Sequence, residues 1–263
     1  KGTDLLVIPG TEITRAMPPG HFNAIFVKDV NALNQKDVME VFREAKKQEA
    51  FVFWNHPHWT AQRKDGVATL TEMHHDLLKE GLFQGVEIYN DVTYSEEALS
   101  LAQEHGLTLI GTSDVHGLVD WRYDIPNGGH RPVTLVFASE KSEEAMQEAM
   151  VNRQSAVWFK NTLVGPQEFL GPLVEASLEI VHRSQGLVPI LQIHNHSDAD
   201  YILKNTSAYS LHNFAPVFIL KAHETTAVMV KTLEELESFE MTFKVLNAFS
   251  SPTEHVDINL RVE

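Results

Sequence analysis

The sequence predicts an α/β domain followed by an all-β sandwich. Apolar strands alternate with amphipathic helices up to about residue 165, which is typical of a parallel sheet or barrel. After about residue 172 the helical patterns disappear, and short strands follow one another at regular spacing between turns. The 263 residues suffice for two domains with separate cores. We therefore place the α/β domain at residues 1–170 and the sandwich at residues 171–263.

In the first domain, short apolar runs predict strands and amphipathic segments predict helices. The predicted strands are LLVIPGTEIT, FNAIFV, FVFWN, GVEIYN, LTLIGTSD, PVTLVFA and AVWF. The predicted helices are one capped by Asn34, one over 71–80 that ends at Gly81, one from Ser95 to Gly106, and one from Ser142 to about Asn152. The segment 117–131 is predicted to be a long loop.

Seven short strands with turns between them predict the second domain. They are SLEIVHR, VPILQIHN, ADYILKN, APVFILK, TAVMVK, TFKVLN and DINLRVE. Pro166, Gly171 and Pro172 are expected to mark the junction between the domains.

Composition excludes several classes of protein. The formal net charge of -15 disfavours a general nucleic-acid binder. No apolar run approaches the roughly 20 residues of a membrane helix. With no cysteine and 14 histidines, a transition-metal site would have to use histidine and carboxylate ligands.

The first residues indicate a chain that lacks its natural start. The run Leu5–Ile8 is typical of a buried strand, and no signal-like segment precedes it. We expect an N-terminal part to be missing, which leaves localisation open and a periplasmic or secreted setting possible.

Polar side chains lie where the predicted strands of the first domain end. Glu12 ends the first strand and His56 the third, while Asp114 and His116 end LTLIGTSDVH. The carboxyl ends of strands are where sites form in α/β proteins. Residues two apart on an extended chain point to the same side, so Asp114 and His116 are expected to reach one metal cluster. Glu87 and Asn90 end the strand GVEIYN at the same edge.

Four further residues are candidates for binding metal, supporting a ligand or contacting substrate. His21 precedes the second strand and is a further candidate ligand, with an exposed turn residue as the less favoured alternative. His58 is a candidate for supporting a ligand or contacting substrate. Arg15 and Arg122 could each bind an anionic substrate, since arginine matches phosphate bidentately.

Four motifs in order resemble those of the polymerase and histidinol phosphatase (PHP) superfamily. They are Gly10-Thr11-Glu12-Ile13-Thr14, Gly20-His21-Phe22-Asn23, Asn55-His56-Pro57 and Gly111-Thr112-Ser113-Asp114-Val115-His116-Gly117, with Glu87 and Asn90 resembling a less specific GxExYN strand. Within this superfamily, the sequence is similar to bacterial phosphodiesterases with an appended C-terminal β-sandwich.

The resemblance implies a distorted (β/α)7 barrel, here truncated at its N-terminus, with two or three Zn, Mn or Fe ions. It implies that a hydroxide activated at this multinuclear site hydrolyses a small phosphoester substrate, most specifically a phosphodiester. By motif, Glu12 would bridge metals, His21, His56, Asp114 and His116 would be ligands, and Glu12 and Asp114 would be catalytic. Arg15, His58, Asn90 and Arg122 are the predicted substrate-binding residues.

This sequence lacks the H-x-H motif with which the family opens. Two alternatives therefore stay open. One is a metal-free barrel fragment with a binding or structural role, and the other is a metal-dependent hydrolase of another bond, similar to amidohydrolases.

Overall fold

Strands and helices alternate through the first half of the computed structural model, which describes residues 5–263. The strands here are β1 (Gly10–Ile13), β2 (Phe22–Ile25), β3 (Phe51–Trp54), β4 (Gly85–Asn90), β5 (Thr93–Tyr94), β6 (Thr108–Thr112), β7 (Val133–Val136) and β8 (Ser155–Phe159). The helices are α1 (Val38–Lys47), α2 (Glu72–Lys79), α3 (Glu96–His105), α4 (Val119–Arg122) and α5 (Glu143–Val151), with short 3-10 helices at Val30–Leu33 and Ile125–Asn127.

The second half consists mainly of strands. They are β9 (Thr162–Val164), β10 (Leu178–Ser184), β11 (Ile190–Asn195), β12 (Tyr201–Asn205), β13 (Ser210–Leu211), β14 (Val217–Leu220), β15 (Thr225–Lys231), β16 (Phe239–Phe249) and β17 (His255–Val262), with one helix, α6 (Gln167–Ala176). The chain divides into two compact units, of which the first ends at Trp158 and the second begins at Phe159. The predicted domain boundary after residue 170 falls inside α6.

Six strands of the first unit form one sheet in the order β1-β2-β3-β4, with β5 and β6 both paired to β4. The pairs β3–β4 and β4–β6 are parallel, as the alternation of strands and helices predicts. The pairs β1–β2 and β2–β3 are antiparallel. The strands of the described residues form no closed barrel, so the expected (β/α)7 barrel is not what this part of the chain shows.

The central strands carry the core of the first unit. Every residue of β3 and β4 is buried, which accounts for their continuous apolar sequences. Helix α1 buries Val41, Phe42 and Ala45, the face that its periodicity predicts.

Two of the three predicted serine and asparagine caps are confirmed. The hydroxyls of Ser95 and Ser142 accept hydrogen bonds from Ala98 and Ala145 at the starts of α3 and α5. The predicted cap at Asn34 is wrong. Asp37 caps α1 instead, and its carboxylate accepts hydrogen bonds from the backbone N–H groups of Met39 and Glu40.

Two further predictions are wrong, one for the run Leu5–Ile8 and one for the segment 117–131. Leu5 and Val7 are exposed, at 75% and 83%, and no strand forms before Gly10 among the described residues. The segment 117–131 is not a plain loop, because α4 and a 3-10 helix form within it.

The second unit confirms all seven predicted strands. One sheet has the order β10-β11-β15-β13. In the other, β16 pairs with β12, β17 and β9, and β12 also pairs with β14. Strand β17 alternates strictly between buried and part-exposed residues, as expected for a sheet with one face in a core.

The residues expected to mark a junction belong instead to helix α6. Pro166 is its N-cap and Pro172 lies inside it. Leu170 and Val174 of this helix are fully buried, and the backbone N–H of Asn259 on β17 donates to the Glu175 carboxylate at 2.7 Å. Tertiary packing therefore outweighs the helix-breaking tendency of proline. No helix of the described residues has the length and apolarity needed to cross a membrane.

A buried histidine makes the stability of the first unit depend on pH. Burial lowers the pKa of His74 to about 4, and the positive charge of Arg63 acts in the same direction. Its Nδ1 atom accepts a hydrogen bond from the backbone N–H of Thr71 at the start of α2. Since the unfolded chain binds a proton near pH 6.5 and the folded chain only near pH 4, stability is full above the first value and falls between the two.

We expect this histidine to account for about 3 kcal/mol of lost unfolding free energy between pH 7 and pH 4. His74→Gln keeps an acceptor for Thr71, as in a capping box, but cannot titrate. Urea unfolding at pH 7, 6 and 5, followed by circular dichroism, should show a shallower pH dependence for the variant. Parallel pH profiles for the two proteins would contradict the assignment.

Candidate metal centre

Three predicted ligands come together at one edge of the six-stranded sheet. One ligand atom from each of Glu12, His21 and His56 lies within 4.8 Å of the other two. The imidazole Nδ1 of His21 is 2.9 Å from Glu12 Oε1. The ring centroids of His21 and His56 are 5.0 Å apart.

The strand pairing explains why residues distant in sequence meet here. Strands β1 and β2 run antiparallel with Ile13 opposite Phe22, so Glu12 near the end of β1 lies beside His21 just before β2. On the other side of β2, Phe22 lies opposite Trp54, and the backbone N–H of Asn55 donates to the His21 carbonyl at 2.9 Å. This register places His56, immediately after β3, at the same edge.

The environment of the His56 side chain suits binding of a metal ion. Its side chain is buried, and its Nδ1 atom has no hydrogen-bond partner among the described residues. Burial lowers the pKa of His56, and the charge of His21 lowers it further, while the carboxylates of Asp114 and Glu12 act in the opposite direction. A lowered pKa favours the neutral imidazole, whose lone pair binds metals.

A buried carboxylate fixes the position of His56. Glu87 is 1% exposed, and its Oε2 atom accepts hydrogen bonds from the His56 backbone N–H at 2.6 Å and from Asn90 Nδ2 at 2.9 Å. Its Oε1 atom accepts from the Thr112 hydroxyl at 2.5 Å. Burial raises the pKa of Glu87 to about 7, although these three hydrogen bonds favour the ionised form. Glu87 is therefore a positioning residue that joins the ends of β3, β4 and β6.

Asp114 and His116 line the same cavity but do not join the three-residue cluster. The cavity has a volume of about 310 Å³ and is lined by Glu12, His56, Glu87, Asp114 and His116 among others. The expectation that Asp114 and His116 lie on extended chain is wrong, because Asp114 has φ +45°. The His116 ring is 83% exposed, and its Nδ1 atom lies 2.7 Å from the Asp114 carbonyl oxygen. Their role as ligands remains a prediction.

The predicted substrate-binding residues lie in different surroundings. Asn90 lines the cavity. His58 Nε2 is hydrogen-bonded to the Thr93 hydroxyl at 2.8 Å. The Arg15 guanidinium donates to the carbonyls of Thr14 and Gln35, and Arg122 forms a bidentate ion pair with Asp91.

The structure adds four polar residues that the sequence analysis did not select. Asn23, Asn55, Thr112 and Ser113 also line the cavity. The Asn55 side chain is buried, and its Oδ1 atom has no hydrogen-bond partner within the described part of the chain. Each of these residues belongs to one of the predicted motifs, so membership of a motif was the available signal.

These residues fit a divalent transition metal. Imidazole nitrogens together with carboxylate oxygens suit Zn, Mn and Fe. The unpartnered Nδ1 atom of buried His56 is the structural observation behind this fit, because buried polar atoms normally have a partner.

The comparisons identify relatives of both halves of the chain. A solved structure from Bacteroides vulgatus, described as a two-domain protein containing a predicted PHP-like metal-dependent phosphoesterase, has a TM-score of 0.89 and 38% sequence identity. The match covers 98% of this chain and 75% of that one. A family model described as an Ig-like domain matches residues 178–261. No curated protein is similar enough to this chain to count as a match.

Two substitutions of Glu87 distinguish the contribution of its hydrogen bonds to stability from the contribution of its charge. Glu87→Leu leaves the His56 N–H and the Asn90 amide buried without an acceptor, so we expect the unfolding free energy to fall by about 2–4 kcal/mol. Glu87→Gln retains a carbonyl for both donors, and its amide can donate to the Thr112 hydroxyl, so we expect a loss of about 1 kcal/mol or less. Denaturant unfolding measures both values, and equal losses in the two variants would contradict this role.

Proposed function

This chain belongs to the family of two-domain proteins with a PHP-like metal-dependent phosphoesterase domain, and from that premise we propose that it hydrolyses a phosphodiester using a divalent metal held by Glu12, His21 and His56. The convergence of these three side chains is the observation that carries the proposal. The sequence places them on separate motifs, and a metal explains why the ligand atoms of an acid and two imidazoles lie within 4.8 Å of one another.

We extend the site to two or three metal ions by including Asp114 and His116. Both line the cavity that also has Glu12 and His56 in its lining, and the Asp114 side chain is 42% exposed. A further ion would reduce the repulsion between the carboxylates of this cavity. Zn, Mn and Fe all suit this set of ligands.

The chemistry follows from the donors that surround the cavity. When bound, the metal supplies Lewis-acid polarisation of the phosphoryl oxygen and makes water more acidic. In hydrolysis, the oxygen of water bonds to phosphorus, the ester P–O bond breaks, and the departing alcohol takes up a proton. We assign the acceptor of the water proton to the Asp114 carboxylate. Asn90, which lines the cavity beside it, is the proposed hydrogen-bond donor to substrate.

His58, Arg15 and Arg122 have other partners in this structure. The His58 Nε2 atom would have to exchange its bond with Thr93 for one with substrate, whereas Arg15 and Arg122 keep further guanidinium N–H groups beyond those in the contacts described above. We propose that Asn90 makes the direct contact, through the amide N–H that it does not donate to Glu87, and that the other three residues act from outside the cavity of about 310 Å³.

Metal content gives the first test. His56→Asn removes the imidazole, while asparagine tolerates the positive φ of 28° found at this position. We expect metal affinity to fall at least about 100-fold, because changes at residues that only support a ligand already cost 10–100-fold. Elemental analysis after equilibration with Zn²⁺ or Mn²⁺ measures this. His223→Asn is the matched control, since His223 also has positive φ, at 58°, and lies in the second unit. Equal metal content in both variants would refute the site.

Loss of the Asp114 charge gives a test of the reaction. Asp114→Asn keeps a residue that tolerates φ +45°, so the fold should be unchanged by circular dichroism. Because the amide can neither bind a cation strongly nor accept the proton, we expect turnover of bis(p-nitrophenyl) phosphate by the metal-loaded protein to fall about 100-fold or more. Unchanged turnover in this variant would exclude Asp114 from the reaction.

A further inference from the structure

A larger cavity adjoins the candidate metal centre. Its volume is about 650 Å³, and it shares His56, Asn90, Asp114 and His116 with the cavity of the metal cluster. A molecule bound at the metal cluster would therefore extend into this larger space.

Exposed apolar side chains line the larger cavity. Trp121 is 84% exposed, Leu118 is 62% exposed and Trp59 is 45% exposed. The Trp59 ring lies at the metal end, with its centroid 5.0 Å from that of His56 and 5.7 Å from that of His21. Large apolar side chains that remain exposed together are typical of a surface that a ligand covers.

The segment that carries Trp121 is held in place by polar contacts. Asp91 accepts hydrogen bonds from the Arg122 guanidinium and, at 2.8 Å, from the Tyr123 hydroxyl. The Tyr123 residue is buried. Asp91 directly follows the cavity residue Asn90 at the end of β4. The ion pair therefore fixes α4 to the edge of the site, and the adjacent Trp121 remains exposed.

The same ion pair argues against a phosphate at Arg122. Its guanidinium is engaged bidentately by Asp91, so its strongest binding geometry is already used. The wall near α4 thus offers aromatic and aliphatic surface rather than free positive charge.

We propose that this cavity binds a planar aromatic ring carried by one ester group of the substrate, with Trp121 as the principal stacking surface. The proposal rests on the proposed function for the position of the phosphate, since the cavity residues shared with the metal centre place the two groups side by side. Trp59 bounds the ring on the metal side, and Leu118 adds apolar contact. Because tryptophan stacks on any planar ring, we expect the cavity to prefer aromatic over non-aromatic ester groups without selecting one particular ring.

Adenosine monophosphate and ribose 5-phosphate are suitable probes because they differ by one aromatic base. Isothermal titration calorimetry with the metal-loaded protein should give about 10-fold tighter binding of adenosine monophosphate, an effect within the range of one stacked base. Trp121→Ala should abolish this preference while leaving the affinity for ribose 5-phosphate unchanged, and Trp121→Phe should retain most of it. Leu233→Ala is the control, because Leu233 is 85% exposed and lies in the second unit.

Equal affinity for the two probes, or a preference that survives Trp121→Ala, would overturn the proposal. Titrating adenosine and ribose into the metal-free protein measures the same aromatic preference without any contribution from the metal. If the metal-loaded protein hydrolyses phosphodiesters but shows no aromatic preference, the inference fails and the proposed function stands. If it prefers the aromatic probe through Trp121 but hydrolyses no phosphoester, the proposed function fails and the aromatic site stands.

Discussion

The candidate site depends on one buried carboxylate that joins three strand ends. Glu87 lies on β4 and accepts hydrogen bonds from the His56 backbone after β3, from Asn90 at the end of β4 and from Thr112 at the end of β6. A carboxylate this deeply buried is unfavourable unless its oxygens are satisfied. The three strand ends must therefore keep their positions for the carboxylate to be tolerated. Their positions in turn determine where the His56 imidazole lies, so the stability of this edge and the geometry of the site are linked.

The rest of the ligand set depends on a change in strand direction. Strands β3, β4 and β6 are parallel, so their carboxyl ends share an edge. Strands β1 and β2 add to this sheet in antiparallel fashion, and the end of β1 and the beginning of β2 reach the same edge. His21 consequently precedes its strand and still lies beside Glu12, which is the third residue of β1. The candidate ligand cluster thus draws on both parallel and antiparallel strand pairs.

Much of this could be predicted from the sequence, because local patterns carry it. The strands of the second domain alternate or run apolar between turns, and Ser95 and Ser142 are recognisable as caps. The motifs predict Glu12, His21 and His56 as ligands, and the structure brings these three side chains together. The antiparallel pairing of β1 could not be predicted, because strand direction depends on contacts with distant parts of the chain. The positive φ of Asp114 departs from the extended backbone expected for this segment, and nothing local to that segment indicated it. Helix α6 formed despite Pro172 because burial of Leu170 and Val174 outweighs local propensity.

The charges around the two cavities indicate that binding of an anionic substrate would depend on a bound metal ion. Among the described residues that line them, the carboxylates of Glu12, Glu87, Asp91 and Asp114 face a single arginine, Arg122. That arginine is already paired with Asp91, and the whole chain has a net charge of -15. An anionic phosphoester would be repelled by this arrangement on charge alone. The protein residues can contribute hydrogen bonds from Asn90 and apolar contact from Trp59 and Trp121, but neither offsets the repulsion of the phosphate. Positive charge held by Glu12, His21 and His56 would do so, and under the proposed function the ligand cluster would therefore serve binding of the phosphoester as well as its hydrolysis.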